Sequence, residues 1–256
     1  MKHLIIPDTQ VKPGVDLNYL AWVGKYIVEK KPDVVVQIGD FADMPSLSSY
    51  DTGKKSFEGR RYKDDIEVVI KAMRILLKPL KDYNAKQTKK KKKQYKPRMV
   101  LTLGNHEQRI NRATENDPKL YGTLSNADLR YSEAGWEVFD FLDTVVINGV
   151  VYTHYLTSGV MGRPIGTASA MVSKTHQSCV VGHQQGRQVA YGKRADGTNI
   201  TCIIAGSCYL HDEEYMGNQG NNHWRGLVML HEVNDGQFDE MFVSLDYLRQ
   251  KYAYKR

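Results

Sequence analysis

Short apolar runs alternate with helical patterns over the first 103 residues of the chain. Apolar and β-branched runs at residues 2–6, 34–38 and 98–103 are typical of buried parallel strands. Between them, apolar side chains recur at helical spacing over residues 16–30 and 66–80. The resulting order of strand, helix, strand, helix and strand predicts an open α/β sheet.

The second half of the chain has a mostly β pattern. Two β-branched runs, residues 145–147 and 150–153, are joined by Asn148 and Gly149, which predicts a hairpin. Further strands are predicted at residues 178–181, 189–191, 200–205, 227–233 and 238–245. Residues 108–143 are predicted to be an irregular excursion with short helical pieces. Because the chain has no internal repeat and no interdomain linker, residues 1–256 are predicted to form one domain of mixed α/β (α+β) class.

Polar side chains able to bind a metal follow five of the predicted strands. In open α/β sheets the carboxyl ends of parallel strands meet at one edge, where ligands bind. The groups at the successive strand exits are Asp8 and Gln10, then Asp40, then Asn105 and His106, then His154, and finally His183 and Gln185. Carboxylate, amide and imidazole donors of this kind suit hard or borderline divalent metals. The pattern therefore predicts a metal centre at the edge of the sheet.

The turn from Gly104 to Glu107 holds the most informative of these groups. One interpretation makes Asn105 a neutral oxygen ligand of a metal and His106 a general acid beside a substrate. The alternative is a polar turn that merely closes a strand. Arg109 and Arg112 follow at once, either as ligands of phosphate oxygens or as helix-surface arginines.

The ordered series of Gly-Asp, Gly-Asn-His-Glu, a single His and Gly-His-x-Gln resembles the calcineurin-like metallophosphoesterase superfamily. The resemblance runs from Asp8 to Gln185. It implies a four-layer αββα sandwich of two mixed β-sheets flanked by helices, and hydrolysis of phosphate esters by a metal-activated water. It also implies a metal pair bridged by Asp40, with His106 as the acid near the leaving group.

By the same resemblance, each metal has its own set of ligands. One metal would take Asp40, Asn105, His154 and His183, and the other Asp8, Gln10, Asp40 and Gln185. The sequence departs from the family pattern at the second of these sets, where Gln10 and Gln185 stand in place of histidines. An amide oxygen is a harder and weaker ligand than imidazole, so this set favours Mn²⁺ or Mg²⁺ over Zn²⁺. We expect two divalent ions, with Mn²⁺ favoured and Mg²⁺, Fe²⁺ or Zn²⁺ as alternatives.

Composition narrows the class of protein. Hydrophobic residues make up 41% and charged residues 25%, and no apolar run approaches the ~20 residues that span a bilayer. The short apolar stretch at the N-terminus does not fit a signal peptide. The chain is therefore predicted to be cytoplasmic, without a membrane partner. Its three cysteines fit neither a metal motif nor a disulfide framework, and we expect them to be reduced.

Charge gives a weaker indication of the partner. The formal net charge is +7, and a lysine-rich insertion at about residues 84–97 carries much of the excess. Such a run is most simply a solvated loop, and a nucleic-acid-binding arm is the alternative. Residues 217–222 are predicted to form a mobile loop, and residues 211–214 a solvated acidic turn. Trp224 either begins a core strand or stacks on a base.

The favoured function is metal-dependent hydrolysis of a phosphodiester in DNA, RNA or a nucleotide, as in a nuclease or phosphodiesterase. This preference depends on the basic balance and on the lysine-rich insertion. A phosphomonoesterase of the protein phosphatase or nucleotidase type is an alternative. A non-catalytic scaffold is another, in which the metal site with Gln10 and Gln185 is degraded, although a scaffold has no need of His106.

Overall fold

A computed structural model describes residues 1–212 and 223–253. The predicted loop at residues 217–222 and the second half of the predicted acidic turn at 211–214 lie outside these ranges. Within the described residues, no helix combines the length and the apolar character needed to cross a membrane.

Strands and helices follow the predicted order, with some additions. The strands are β1 (His3–Ile6), β2 (Val34–Gln37), β3 (Arg98–Thr102), β4 (Glu137–Phe139), β5 (Val145–Ile147), β6 (Val150–Thr153), β7 (Thr157–Ser158), β8 (Arg163–Pro164), β9 (Cys179–Val181), β10 (Arg187–Lys193), β11 (Asn199–Ala205), β12 (Gly226–Asn234) and β13 (Gln237–Ser244). The α-helices are α1 (Asn18–Lys30), α2 (Tyr62–Lys89), α3 (Gln108–Asn116), α4 (Ala168–Thr175) and α5 (Leu245–Tyr252).

The strands form two large mixed sheets. The first has the order β13-β12-β1-β2-β3-β4, in which β1 to β4 are parallel and β12 is antiparallel to both of its neighbours. The second has the order β10-β11-β9-β6-β5, with three parallel strands in the middle and an antiparallel strand at each edge. The short β7 and β8 form a separate hairpin.

Three apolar cores hold four layers together. One core lies between the sheets, where Val36 and Tyr152 are fully buried. A second core packs α1, α2 and α5 against the outer face of the first sheet, with Leu20 and Leu76 at its centre. The third packs α4 against the outer face of the second sheet through Met171. This arrangement confirms the predicted αββα sandwich.

Several local features differ from the sequence-based expectation. β4 lies inside the excursion predicted to be irregular, because a run of only three residues gives too weak a pattern to be recognised. Helices α4 and α5 were not predicted, since each is a single short helix of eight residues. The lysine-rich segment is not a loop throughout. Helix α2 runs to Lys89, because lysine is a good helix former and the helix is already anchored by its buried face.

Trp224 has the simpler of its two predicted placements. It lies just before β12, and its ring packs edge-on against Phe242 with ring centroids 5.2 Å apart. It is therefore part of the packed start of a strand.

Candidate active site

The loops that follow β1 and β2 are joined to each other just beyond the sheet. The backbone N–H of Gln10 donates to the carbonyl of Asp40 at 2.9 Å, and that of Val11 donates to Phe41 at 2.9 Å. The parallel register of β1, β2 and β3 places the ends of all three strands at the same level. The polar residues predicted at these strand exits are thus brought together.

Four of the predicted metal ligands converge on one point. Asn105 Oδ1 lies 2.9 Å from His154 Nε2 and 2.8 Å from His183 Nδ1. His154 Nε2 is also 3.3 Å from Asp40 Oδ2. Among the described residues, ligand atoms of Asp40, His154 and His183 all lie within 4.8 Å of one another. This set of two imidazoles, one carboxylate and one amide oxygen, which we name the imidazole half-site, is a fitting donor set for a divalent metal.

Hydrogen bonds fix the orientation of these ligands. The Nδ1–H of His154 donates to the carbonyl of Ile38 at 2.9 Å, which leaves Nε2 facing Asp40 and Asn105. The backbone N–H of His106 donates to Asp40 Oδ1 at 2.9 Å. Partners of this kind select the tautomer of a ligating histidine and hold a ligating carboxylate in place.

The remaining predicted ligands, Asp8, Gln10 and Gln185, form what we name the amide half-site. Asp8 is fully buried, and its two carboxylate oxygens accept the backbone N–H of His183, each at 3.1 Å. Gln10 and Gln185 are also buried. Gln185 Oε1 accepts a hydrogen bond from the hydroxyl of Tyr209. One of the two amide oxygens is therefore already engaged by another side chain.

Four of the seven predicted metal ligands have left-handed backbone conformations. The φ angles are +40° at Gln10, +51° at Asp40, +67° at His183 and +57° at Gln185. For residues other than glycine such angles cost free energy and are retained where the surrounding structure imposes them, commonly at functional sites. The strained turns at the strand exits support a functional role for this edge.

Two glycines of the motifs are required by the crowding of these turns. A Cβ on Gly104 would lie 2.1 Å from Asp40 Oδ1 and 2.3 Å from the Asp40 nitrogen. A Cβ on Gly182 would lie 2.3 Å from Asp8 Oδ1. All three distances are far below van der Waals contact, so each glycine lets a carboxylate from another strand approach the backbone.

His106 lies beside the imidazole half-site and is held by Asp43. Its Nδ1–H faces Asp43 Oδ1 at 2.7 Å and the Asp43 carbonyl at 2.9 Å, so Nε2 points the other way, 3.8 Å from Asp40 Oδ2. Burial alone would lower the pKa of His106, but the charges of Asp40 and Asp43 outweigh it and raise the pKa. An imidazole with a raised pKa in this position can donate a proton to a leaving group.

Arg109 contacts the same loop. Its guanidinium donates to the carbonyl of Asp43 at 2.9 Å and to that of Met44 at 3.4 Å, and Nη2 lies 3.4 Å from His106 Nε2. These contacts place Arg109 next to His106, the predicted acid. Some of the N–H groups of the Arg109 guanidinium are already used in hydrogen bonds to backbone carbonyls. Arg112 is exposed.

Glu107 links the loops from inside. This fully buried carboxylate accepts the backbone N–H groups of Asp40 at 3.0 Å, Ala42 at 2.8 Å and Gly104 at 2.8 Å. It also accepts the hydroxyl of Tyr131 at 3.2 Å. The sequence indicates Glu107 only as part of the turn that begins at Gly104. A carboxylate immediately after His106 is the signal in the sequence, but three of its four partners, Asp40, Ala42 and Tyr131, lie 24 to 67 positions away.

The electrostatics of the site suit a bound cation. Burial raises the pKa of Asp8 to about 7. Burial also works against ionisation of Asp40, but the charges of His106 and His154 lower its pKa. In turn, the charge of Asp40 overcomes burial and raises the pKa of His154 to about 9. Two buried carboxylates therefore share a site whose positive charge, in the protein alone, comes from the imidazoles.

His183 differs from His154. Burial and the neighbouring charge of His154 lower the pKa of His183 to about 4, so this imidazole is neutral near pH 7. Neutral imidazole is the form that binds a metal. One histidine of the half-site is thus ready to bind, and the other must first lose its proton.

Comparison with known families identifies the class of protein. A sequence model of the calcineurin-like phosphoesterase family matches residues 1–177. The chain therefore belongs to the calcineurin-like phosphoesterases, hydrolases that act on phosphate esters with divalent metal ions. This match confirms the resemblance drawn from the motifs and the prediction of a metallophosphoesterase.

Individual relatives are more distant. The Gene 54 protein of Mycobacterium phage L5 is 40% identical over 78 residues, which cover 30% of this chain and 29% of that protein. The alignment thus spans less than a third of that relative. The crystal structure of TT1561 of Thermus thermophilus aligns with 94% of this chain and 98% of its own, with 8% identity and a TM-score of 0.38. A second crystal structure aligns with 95% of this chain and 99% of its own, with 10% identity and a TM-score of 0.35.

Proposed function

We propose that this protein hydrolyses phosphodiesters in nucleic acid or nucleotides, with water as the nucleophile and His106 as the acid for the leaving oxygen. The observation that carries the proposal is the convergence of Asp40, Asn105, His154 and His183 beside His106, whose imidazole is held by Asp43. A non-catalytic scaffold would have no use for an acid positioned in this way. Asp40 would take part in both half-sites.

The chemistry divides between the metals and the side chains. When bound, two divalent ions lower the pKa of a water molecule and neutralise the phosphoryl oxygens. Asp40, Asn105, His154 and His183 would hold one ion, and Asp8, Gln10, Asp40 and Gln185 the other. His106 gives a proton through Nε2 to the leaving oxygen, and Asp43 keeps that imidazole oriented and charged. General-acid catalysis of this type contributes about 10² to 10⁴ in rate.

Preference for a diester is supported by the state of the cations near His106. Lys12 Nζ lies 3.2 Å from Asp43 Oδ2, and Arg109 also contacts Asp43. Both cations are therefore already in contact with Asp43. A monoester carries up to two negative charges near pH 7 and a diester carries one, so a site whose nearby cations are already engaged by Asp43 suits the diester better.

The lysine-rich segment does not support the diester preference through contact with the phosphate at the active site. It precedes β3, whereas Asn105 and His106 follow β3, so the segment lies at the opposite edge of the sheet. Its lysines cannot bind the phosphate that is being cleaved. The preference at the site itself therefore depends on the charges around Asp43.

For the metal, the proposal is Mn²⁺. Amide oxygens from Gln10 and Gln185 are harder donors than imidazole and disfavour Zn²⁺. The two imidazoles beside Asp40 accept Mn²⁺, Fe²⁺ or Zn²⁺.

The test compares three substrates with the full chain in the presence of Mn²⁺. We expect faster turnover of bis-p-nitrophenyl phosphate than of p-nitrophenyl phosphate, together with cleavage of linear DNA. The variant Asp40→Asn, prepared identically, controls for contaminating phosphatases. Hydrolysis of the monoester alone would contradict the diester preference. A correctly folded protein with no activity on any of the three would contradict the hydrolase, and the scaffold alternative would then account for the fold.

A further inference from the structure

The lysine-rich segment is an ordered structural feature with a concentrated charge. Seven lysines fall within residues 86–96, and the formal net charge of the whole chain is +7, so the rest of the chain is balanced. All seven are exposed. They are Lys86, Lys89, Lys90, Lys91, Lys92, Lys93 and Lys96. We name this feature the lysine turn.

Specific hydrogen bonds hold the lysine turn closed. The side chain of Asn84 bonds both ends of the Tyr95 backbone, donating to its carbonyl at 2.8 Å and accepting its N–H at 2.9 Å. Gln94 donates to the hydroxyl of Thr88 at 2.7 Å. The hydroxyl of Tyr95 donates to the carbonyl of Pro32, which fastens the turn to the end of α1. Like charges are thus kept close together instead of being free to spread apart.

These charges lack a counter-charge in the part of the chain that the structure describes. Among residues 1–212 and 223–253, no carboxylate lies within salt-bridge distance of any lysine of the turn. Helix α2 ends here, so the carbonyl end of the helix favours Lys86 and Lys89, but this effect is confined to the last turn. A group of cations that is held in place and has no nearby counter-charge favours the binding of a polyanion.

Distance limits what that polyanion can be. At the other end of α2, Asp65 accepts the backbone N–H of Ser46 at 3.0 Å, in the loop that follows Asp43. From Asp65 to Lys89 the helix rises about 36 Å. A single nucleotide cannot reach both the active site and the lysine turn. A duplex of about 10 base pairs spans this length.

We infer that the lysine turn is a second binding surface for the phosphate backbone of double-stranded nucleic acid, which anchors a duplex whose remote phosphodiester lies in the active site. The inference rests on the proposed phosphodiesterase function and narrows its substrate to a polymer. Duplex DNA carries one negative charge per about 1.7 Å of axis, the density that a compact lysine cluster matches best.

The experiment uses a variant of the full chain that lacks four lysine charges, and a matched control that lacks four others. The test variant combines Lys89→Gln, Lys90→Gln, Lys92→Gln and Lys93→Gln. The control removes four exposed lysines spread over the rest of the surface, through Lys63→Gln, Lys71→Gln, Lys119→Gln and Lys193→Gln. Affinity for a 30-base-pair duplex and for a 6-base-pair duplex is measured between 50 and 200 mM salt, and turnover of bis-p-nitrophenyl phosphate is measured alongside.

We expect the test variant to bind the long duplex at least tenfold more weakly than wild type at 100 mM salt. The salt dependence of log K should become shallower by up to about 3.6, since each phosphate contact contributes about 0.9. The control should change far less, and turnover of the small diester should be unchanged. The short duplex cannot span the active site and the turn, so it should bind wild type more weakly than the long duplex does.

Several results would overturn the inference. They are equal affinity of the test variant and wild type for the long duplex, an equal loss in the control, no binding of duplex by wild type, or binding of phosphatidylserine vesicles in place of duplex. Failure of the proposed function has a separate signature, because it would appear as absent turnover of bis-p-nitrophenyl phosphate by wild type whatever the duplex affinity.

Discussion

The two halves of the candidate metal centre lie at the same edge of the same sandwich but differ in how their donors are held. In the imidazole half-site, His154 is oriented by the Ile38 carbonyl and paired with Asp40, and Asn105 meets both histidines. In the amide half-site, Asp8 is buried and Gln185 is engaged by Tyr209. Strand topology supplies both sets of residues, but the strength of a metal site depends on donor type and on the partners of each donor.

We propose from this comparison that the imidazole half-site binds its metal more tightly and that the amide half-site binds the second ion weakly. Asp40 belongs to both, so the two sites are linked through one carboxylate. Substitutions at the shared and unshared ligands should therefore distinguish the contributions of the two half-sites.

Removing the shared carboxylate should do the most damage. Asp40→Asn keeps the side-chain size but removes the charge common to both half-sites, so we expect a loss of turnover greater than about 10⁴-fold, the upper range for loss of a general acid. Asp8→Asn should cost less, because it affects only the amide half-site. Steady-state turnover of bis-p-nitrophenyl phosphate measures both, with circular dichroism as the folding control. An equal or larger loss in Asp8→Asn would show that the halves are not ranked as proposed.

Removal of the proposed acid, His106, should give the second largest loss of turnover. His106→Gln should lower turnover by about 10² to 10⁴ with a poor leaving group and by much less with a good one, because only a basic leaving oxygen needs a proton. The measurement is the rate over a series of aryl diesters with leaving groups of increasing pKa. Metal content should be unchanged, since the backbone N–H of His106 still holds Asp40. A loss that is the same for all leaving groups would exclude the role of acid.

Glu107 should affect the site by holding the loops that carry the metal ligands in position. Glu107→Gln turns an acceptor toward three backbone N–H groups into a side chain that presents its own N–H₂, so at least one donor is left unpaired in a buried site. We expect unfolding free energy to fall by about 1 to 3 kcal/mol and metal affinity at the imidazole half-site to fall about 10- to 100-fold. Chemical denaturation and metal titration measure the two effects.

Tyr131→Phe is the matched control for Glu107, because it removes only the hydroxyl that donates to this carboxylate. It should leave metal affinity near that of wild type. A large stability loss in Glu107→Gln with unchanged metal affinity would make Glu107 a purely structural residue.

The smallest expected effect is a gain. Gln185→His introduces an imidazole at the amide half-site, so affinity for the second ion should rise and shift toward Zn²⁺, by about tenfold. Metal content after dialysis against equal Mn²⁺ and Zn²⁺ measures the change. Tyr209→Phe, which removes the hydroxyl bound to Gln185, separates the effect of the new ligand from that of freeing the old one. Unchanged metal content in Gln185→His would contradict the assignment of this residue as a ligand.

Most of the strands, and the groups at their ends, could be predicted from the sequence, because both leave local signals. Runs such as Val34–Gln37 are continuous and β-branched, and Gly-Asp or Gly-His at a strand exit marks a turn with a donor. Since parallel strands end at a common edge, Asp40, Asn105 and His183 could be predicted to meet.

Partners from distant parts of the chain could not be predicted in this way. Glu107 accepts a hydrogen bond from the hydroxyl of Tyr131, and Gln185 accepts one from the hydroxyl of Tyr209. Neither pairing follows from the spacing of these residues along the sequence. Donor chemistry alone supports the proposal that the amide half-site binds its ion weakly, and the contact of Gln185 with Tyr209 adds a reason that only the structure provides. The sequence predicts a solvated loop at the lysine turn because charge repulsion is visible in the sequence. The hydrogen bonds from Asn84 that close the turn are not.

Calorimetric titration of Mn²⁺ into chelator-stripped protein tests the ranking of the two half-sites most directly, when wild type is compared with His154→Ala and Asp8→Asn. We expect two classes of site in wild type, one tight and one weak. His154→Ala should lose the tight class, and Asp8→Asn should lose only the weak one. Two equal sites in wild type, or loss of the tight class in Asp8→Asn, would contradict this ranking.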